Sequence, residues 1–154
     1  MGRDSIGAVV LRDELISSDS CTARLWIIEI ATDGESLKRY GATLSLEELD
    51  RVNTFRFRID AERFIVRRGM LRERLAEQLA ITPSDIQYSY GPFGKPFLSE
   101  YPRLSFNTSH SEHLFTLAIT ESCAVGVDIE TIRSFGYRDV IEQYFSPTEQ
   151  VEIL

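Results

Sequence analysis

Residues 60–80, DAERFIVRRGMLRERLAEQLA, constrain the fold more than any other stretch of this chain. Phe64, Leu71, Leu75 and Leu79 fall near helical spacing, and Arg67, Arg68, Arg72 and Arg74 fill much of the remainder. A helix over this range rises about 30 Å, roughly the width of a small domain. Gly69 in its middle weakens the helix, because glycine costs about 1 kcal/mol against alanine there, and it marks a close approach by another element.

The flanking segments make the chain a mixture of helix and strand. Residues 23–31, ARLWIIEIA, are β-branched and aromatic with partial alternation, which predicts a strand. In TLSLEELDRV, Ser45 and Glu48 have the spacing of a capping box at the start of a helix. TPSDI places Thr82 as a cap with Pro83 at the first helical position. IQYSYGPFGKPFL reads as strand, Gly/Pro loop and extended segment, and LSFNTSHS as a short strand running into a turn. HLFTLAIT and AVGVDIE read as two strands of a hairpin joined by ESC. A helix is expected near 138–144, and a second opens at Ser146, with Pro147 first and Glu149 third.

At 154 residues, 43% of them hydrophobic, the chain suffices for one compact core and not comfortably for two. No apolar run approaches the roughly 20 residues of a membrane span. MGRDSIGAVVLRDELISSD is a poor signal peptide, its apolar run short and followed by acids, and it fails the myristoylation pattern. A cytoplasmic protein is expected. Cys21 and Cys123 are far apart in sequence, and with two histidines in the chain a zinc site is not expected; two reduced, partly buried thiols are. The net charge of −7 argues against a general nucleic-acid binder. Yet between Arg51 and Arg74 eight arginines face three acids. A local basic patch on an acidic protein suits a small anion better than a polymer.

Four short motifs carry chemistry. In GVDIE, residues i and i+2 of a strand project to one face about 7 Å apart, so Asp128 and Glu130 stand together while Val127 and Ile129 turn inward. Two carboxylates so held repel unless a cation lies between them, and hard oxygens suit Mg²⁺. Equally, they are two solvated surface acids. In FNTSHS, Asn107, Thr108 and Ser109 can bond backbone, and His110 and Ser111 can donate to a phosphate; a Ser-His nucleophile pair is disfavoured because no G-x-S-x-G elbow is present. In FGKP, Gly94 gives backbone freedom, Lys95 a cation and Pro96 an extended backbone. Arg51, Arg63 and Arg67 can gather on one side, and arginine favours phosphate.

In their order, FGKPFL, FNTSHS, VGVDIE and YFSPTE resemble the 4'-phosphopantetheinyl transferases of the larger, surfactin-synthetase-activating (Sfp) type. The helical lead-in RVNTFRFRIDAERF is similar too, so the likeness runs from about Ser45 to the end. The resemblance implies an α/β (α+β) fold in which an antiparallel sheet packs on a long helix. This would be one half of a pseudo-dimer, with residues 1–130 as the first half-domain and 131–154 as the opening of a second, metal-completing half. It implies transfer of phosphopantetheine from coenzyme A to a serine of an acyl or peptidyl carrier protein, with Mg²⁺. By position, Asp128 and Glu130 would be the metal ligands. Gly94, Lys95 and Pro96 would line the nucleotide, Ser109 and His110 would contact the nucleotide and its phosphates, and Arg51 and Arg63 would bind the 3'-phosphate region. Glu149 matches a supporting acid of the family and, as readily, a plain capping box.

The family's later Trp-x-x-Lys-Glu segment has no counterpart: the single tryptophan is Trp26, and no Lys-Glu pair follows Glu130. Two functions therefore stand side by side. One is a transferase, completed by self-association or by the missing half. The other is a non-catalytic half-domain that binds coenzyme A or a protein. Neither involves nucleic acid or a membrane.

Overall fold

The structure, a computed structural model, describes residues 8–121, 123–132 and 137–153. The mixed α/β architecture with an antiparallel sheet is as expected. Strands β1 (Ala8–Ser17), β2 (Thr22–Ile30), β5 (Ser105–Ser111) and β6 (Leu114–Thr120) form one sheet in the order β1-β2-β6-β5, antiparallel throughout. A small second sheet pairs β3 (Ser89–Tyr90) with β4 (Pro96–Phe97). Helices α1 (Gly34–Gly41), α2 (Leu46–Val52) and α3 (Arg58–Leu79) lie between β2 and β3 in sequence, and α4 (Tyr137–Tyr144) and α5 (Pro147–Ile153) follow the sheet.

The core lies between α3 and one face of the large sheet. Trp26, Ile28 and Ile30 of β2, Phe106 of β5, and Phe115, Leu117 and Ile119 of β6 meet Val66, Met70, Leu71, Leu75 and Ala76 of α3. These strand residues alternate, as a sheet with one buried face requires. Central β6 is buried at every position from Phe115 to Thr120, and edge strand β1 only at Ala8. The sequence reading had no strand before residue 23; β1 owes its place to its pairing with β2 from Ala8↔Ile30 to Ser17↔Thr22.

Three local expectations hold. Ser45 and Glu48 form a reciprocal capping box. The long helix covers 58–79, ending where Ala80 adopts a left-handed φ of 55°. Gly69 marks a close approach: a Cβ there would stand 2.7 Å from Tyr40 Cα and 2.8 Å from Tyr40 O of α1.

Others need correction. Thr82 does stand at the cap position and Pro83 does open the turn Pro83–Asp85, but the turn is 3₁₀ and Thr82 makes no side-chain cap bond. FNTSHS is not a turn: all six of its residues lie inside β5, and the reversal comes at Glu112 and His113, with Glu112 at a φ of 53°. AVGVDIE is not the hairpin partner of HLFTLAIT. That partner is β5, and residues 124–130 form no strand ladder. The cysteines are not two separate thiols: Cys21, just before β2, and Cys123, just after β6, are joined as a disulfide across a Cα–Cα distance of 6.0 Å. The sheet order explains this, because Ala23 pairs with Thr120 and so brings the ends of β2 and β6 together.

Candidate functional site

Strand β5 organises the site because its alternate side chains serve two faces. On the outer face, three polar residues hold the segment that carries the carboxylates. Asn107 Oδ1 accepts Val127 N–H at 2.9 Å, Ser109 Oγ accepts Ile129 N–H at 3.3 Å, and Ser111 Oγ accepts Thr131 N–H at 3.1 Å. The spacing is two residues on each side, so 127–131 runs parallel to β5 but hangs on its side chains rather than its backbone. The same hydroxyls point at the carboxylates: Ser109 Oγ donates to Asp128 Oδ1 at 2.5 Å and Ser111 Oγ to Glu130 Oε2 at 3.0 Å. Asp128 and Glu130 are exposed and flanked by half-buried Val127 and Ile129, the alternation the sequence implied.

The other face of β5 looks into a cavity of about 550 Å³. Thr108 and His110 line it together with Arg51, Arg63, Arg67 and Arg68 from α2 and α3. The gathering of Arg51, Arg63 and Arg67 is therefore real. Among the described residues none of these three makes an ion pair, although Asp60 and Glu112 also line the cavity. Arg51 lies over the Phe64 ring, its guanidinium carbon 5.7 Å from the centroid. Burial, then the neighbouring Arg63 charge, lowers the Arg67 pKa to about 10 against a weaker opposing pull from Asp60. His110 is exposed at the cavity, yet partial desolvation there lowers its pKa, reinforced by Arg67 and Arg63 and partly offset by Glu130. Because His110 stands between Ser109 and Ser111 on β5, the carboxylate segment and the arginine cavity adjoin each other across that strand.

A larger cavity of about 990 Å³ shares Arg51, Phe64 and Arg68 with the first and extends to Gly94, Tyr88 and Tyr90. Its wall is a buried charge cluster that the sequence did not reveal. Glu48, 6% exposed, accepts from Arg68 Nε and, at 2.7 Å, from Arg72 Nε. Arg72, 1% exposed, also donates to the carbonyls of Pro83 and Ile86 at 3.0 and 2.9 Å. Arg68 donates to the Tyr90 hydroxyl and stacks 4.1 Å above the Tyr88 ring. Two of the eight arginines are thus structural, and no pattern within α3 separates them from Arg63 and Arg67; the signal was Glu48, whose capping role accounted for it only in part.

The remaining predicted residues are dispersed. Gly94 has a φ of 76° in the turn between β3 and β4, the freedom its glycine was expected to supply. Lys95 and Pro96 line a separate cleft of about 270 Å³, and Lys95 Nζ donates to Val125 O at 2.9 Å. Lys95 thereby holds the start of the carboxylate segment. Glu149 caps α5, its carboxylate accepting from Ser146 N–H at 2.9 Å and from Ser146 Oγ at 2.8 Å. Among the described residues no group of three His, Cys, Asp or Glu side chains is placed to hold a metal, so Asp128 and Glu130 stand as a pair. No helix among them is long and apolar enough to cross a membrane.

The profile of the family described as 4'-phosphopantetheinyl transferase, N-terminal, matches residues 32–122, from the end of β2 to the end of β6. The chain is 33% identical over 129 residues to the 4'-phosphopantetheinyl transferase HetI of a Nostoc species, an alignment covering 81% of this chain and 54% of that protein. It is 28% identical over 120 residues to the 4'-phosphopantetheinyl transferase Sfp of Bacillus subtilis, covering 78% and 53%. It is 35% identical over 104 residues to the rat L-aminoadipate-semialdehyde dehydrogenase-phosphopantetheinyl transferase, covering 64% and 33%. The chain spans about half the length of the first two of these relatives. With more than half of its residues matched by the family profile, and with the arginine cavity and the paired carboxylates meeting at β5, the chain belongs to the 4'-phosphopantetheinyl transferase family.

Proposed function

We propose that this chain is the N-terminal half of an Sfp-type 4'-phosphopantetheinyl transferase, acting in the cytoplasm on an acyl or peptidyl carrier protein with coenzyme A as donor. Residues 1–130 would form the first half-domain and 131–154 the opening of the second. The observation that carries this reading is the two-sided use of β5. His110 faces three arginines without ion-pair partners among the described residues, while Ser109 and Ser111 on the opposite face aim Asp128 and Glu130. A ligand with a phosphate and a pyrophosphate, as coenzyme A has, presents one anion suited to the arginines and a second that a cation held by the carboxylates would attract.

The carboxylate pair fits a magnesium ion in its chemistry. Two exposed hard-oxygen donors oriented by hydroxyls leave room for the waters and phosphate oxygens that Mg²⁺ keeps. When bound, that ion would supply charge neutralisation at the pyrophosphate. The protein's own contribution is positioning. Arg51, Arg63 and His110 would hold the 3'-phosphate region, and the Gly94-Lys95-Pro96 turn would line the nucleotide. The carrier serine oxygen attacks the pyrophosphate phosphorus that bears the pantetheine arm. A P–O bond forms, the bond to 3',5'-ADP breaks, and the serine proton passes to a carboxylate. Glu149, a supporting acid by position, is engaged in its own helix cap and would have to release Ser146 to take part.

Intact-mass measurement of an apo carrier protein incubated with this chain, coenzyme A and Mg²⁺ tests the proposal, with a full-length relative as positive control. A gain of one phosphopantetheine supports it. A second reading, a half-domain that binds coenzyme A or a protein without turnover, is favoured by the lack of a third metal-binding side chain among the described residues. It predicts Mg²⁺-dependent coenzyme A binding with an unmodified carrier even where the control modifies it.

A further inference from the structure

The segment that presents Asp128 and Glu130 is held in an unusual way. Its amides bond to the side chains of Asn107, Ser109 and Ser111 and form no strand ladder with β5. Bonds to rotatable side chains on an exposed segment open at low free-energy cost, so its order depends on how its ends are fixed. The N-terminal end is fixed at Cys123, whose partner Cys21 adjoins Thr22, the first residue of β2. That strand is paired on both edges and forms part of the core, so Cys21 is a rigid anchor. The Thr120 hydroxyl stands 3.5 Å from the Cys21 sulfur and 3.4 Å from that of Cys123. Both cysteines are half-buried residues.

We infer that Cys21 and Cys123 form a reversible thiol–disulfide site, and that its oxidation pins the 124–131 segment and so the presentation of Asp128 and Glu130. The Cα–Cα distance of 6.0 Å lies in the range that closes a disulfide without moving backbone. The co-reactant is a small-molecule disulfide such as oxidised glutathione. One cysteine thiolate attacks it, forming a mixed disulfide and releasing one glutathione thiolate. The second cysteine thiolate then displaces the other glutathione. The protein loses two electrons and two protons, and the reagent leaves as two reduced glutathione molecules. In a reducing compartment the pair rests as thiols and the segment is held by side-chain bonds alone; an oxidising shift closes it.

The test compares hydrogen exchange of the wild-type chain equilibrated in reduced and in oxidised glutathione, with intact mass reporting the loss of two hydrogens. The Cys21→Ser/Cys123→Ser variant serves as a permanently open form, and the reduced wild type covers the case in which that variant does not fold. Amides of Val127, Ile129 and Thr131 should exchange on the order of tenfold faster or more in the reduced protein, with those of β2 and β6 unchanged. Equal exchange in the two states overturns the inference. So does failure of the pair to oxidise, or a uniform acceleration across the molecule, which would make the bond a general staple. The consequence for cation binding rests on the proposed role of Asp128 and Glu130, and a Mg²⁺ titration of the oxidised chain tests that separately. No binding there, with the exchange difference intact, removes the metal reading and leaves the redox site standing.

Discussion

Ser109 Oγ lies 2.5 Å from Asp128 Oδ1, and the same oxygen accepts the backbone N–H of Ile129 at 3.3 Å. One hydroxyl therefore fixes both the direction of a carboxylate and the path of the chain that bears it. Removing such an orienting group behind a metal ligand commonly lowers metal affinity by about 10- to 100-fold. On the proposed role of Asp128 as a metal ligand, Ser109→Ala should weaken Mg²⁺-dependent coenzyme A binding by about that factor in calorimetry, while urea unfolding moves little. Binding equal to wild type would mean that the serine guides the backbone alone.

Glu48 ties α2 to α3. Burial pushes its carboxyl pKa up, but the Ser45 N–H and the Arg72 and Arg68 guanidiniums outweigh burial, and the pKa falls below the ordinary 4.5. A carboxylate with a depressed folded pKa contributes stability that is fully present above the unfolded value. That stability is lost as pH falls through the folded value. Glu48→Gln leaves two guanidiniums without their anion and should cost about 3–5 kcal/mol in urea unfolding at pH 7. The difference from wild type should shrink as pH drops below about 4.5. A constant difference down to pH 3 would show that shape rather than charge is at stake.

How much of this was legible in advance varies with the range of the interaction. Helix α3 and strand β2 were readable because their periodicity is local. The Ser45–Glu48 and Ser146–Glu149 caps span three residues and were readable for the same reason. Placing Asp128 and Glu130 on one exposed face needed only the period of an extended chain, and so survived the loss of the expected hairpin. What failed was pairing. β1 has a sequence that also suits a solvated tail, and only its register with β2 makes it a strand. FNTSHS looks like a turn because its small polar residues favour turns. They form β5 because its backbone pairs with β6, which leaves the side chains of Asn107, Ser109 and Ser111 to accept the amides of residues 127, 129 and 131. The burial of Arg72 and the meeting of Cys21 with Cys123 depend on contacts 24 and 102 residues apart, which no local pattern encodes.

His110 gives the arginine cavity a pH dependence with a definite sign. Partial desolvation at the cavity and the adjacent Arg67 and Arg63 charges favour the neutral imidazole of the otherwise exposed His110, so in the free protein its pKa lies below 6.5. A bound phosphate favours the imidazolium, so the pKa rises on binding. Affinity for a phosphate-bearing ligand should then increase as pH falls through the bound-state pKa and level off below the free-state pKa. Histidine NMR titrations with and without coenzyme A read both values. His110→Ala should flatten the pH dependence of binding across this range. A His110 pKa that does not move on ligand addition would place the phosphate elsewhere.

Gly69 sits where α3 crosses α1, and the room for it is set by the Tyr40 backbone. An alanine Cβ at 69 would lie 2.7 Å from Tyr40 Cα and 2.8 Å from Tyr40 O, atoms that cannot rotate away as the end of a side chain could. Tyr40 is itself 1% exposed, and α1 is further tied to α3 by the Arg39–Glu73 ion pair at 2.7 Å. Two effects of Gly69→Ala oppose each other. Helix propensity favours alanine by about 1 kcal/mol. Overpacking of a tight contact costs about 1–3 kcal/mol and forces the helices apart. With backbone on the other side of the contact, the second effect should win. Gly69→Ala should lower the urea midpoint, and Gly69→Val should lower it further. A midpoint above wild type for alanine would show that α1 shifts freely, and that the helix pair is not the rigid frame on which Arg63 and Arg67 reach the cavity.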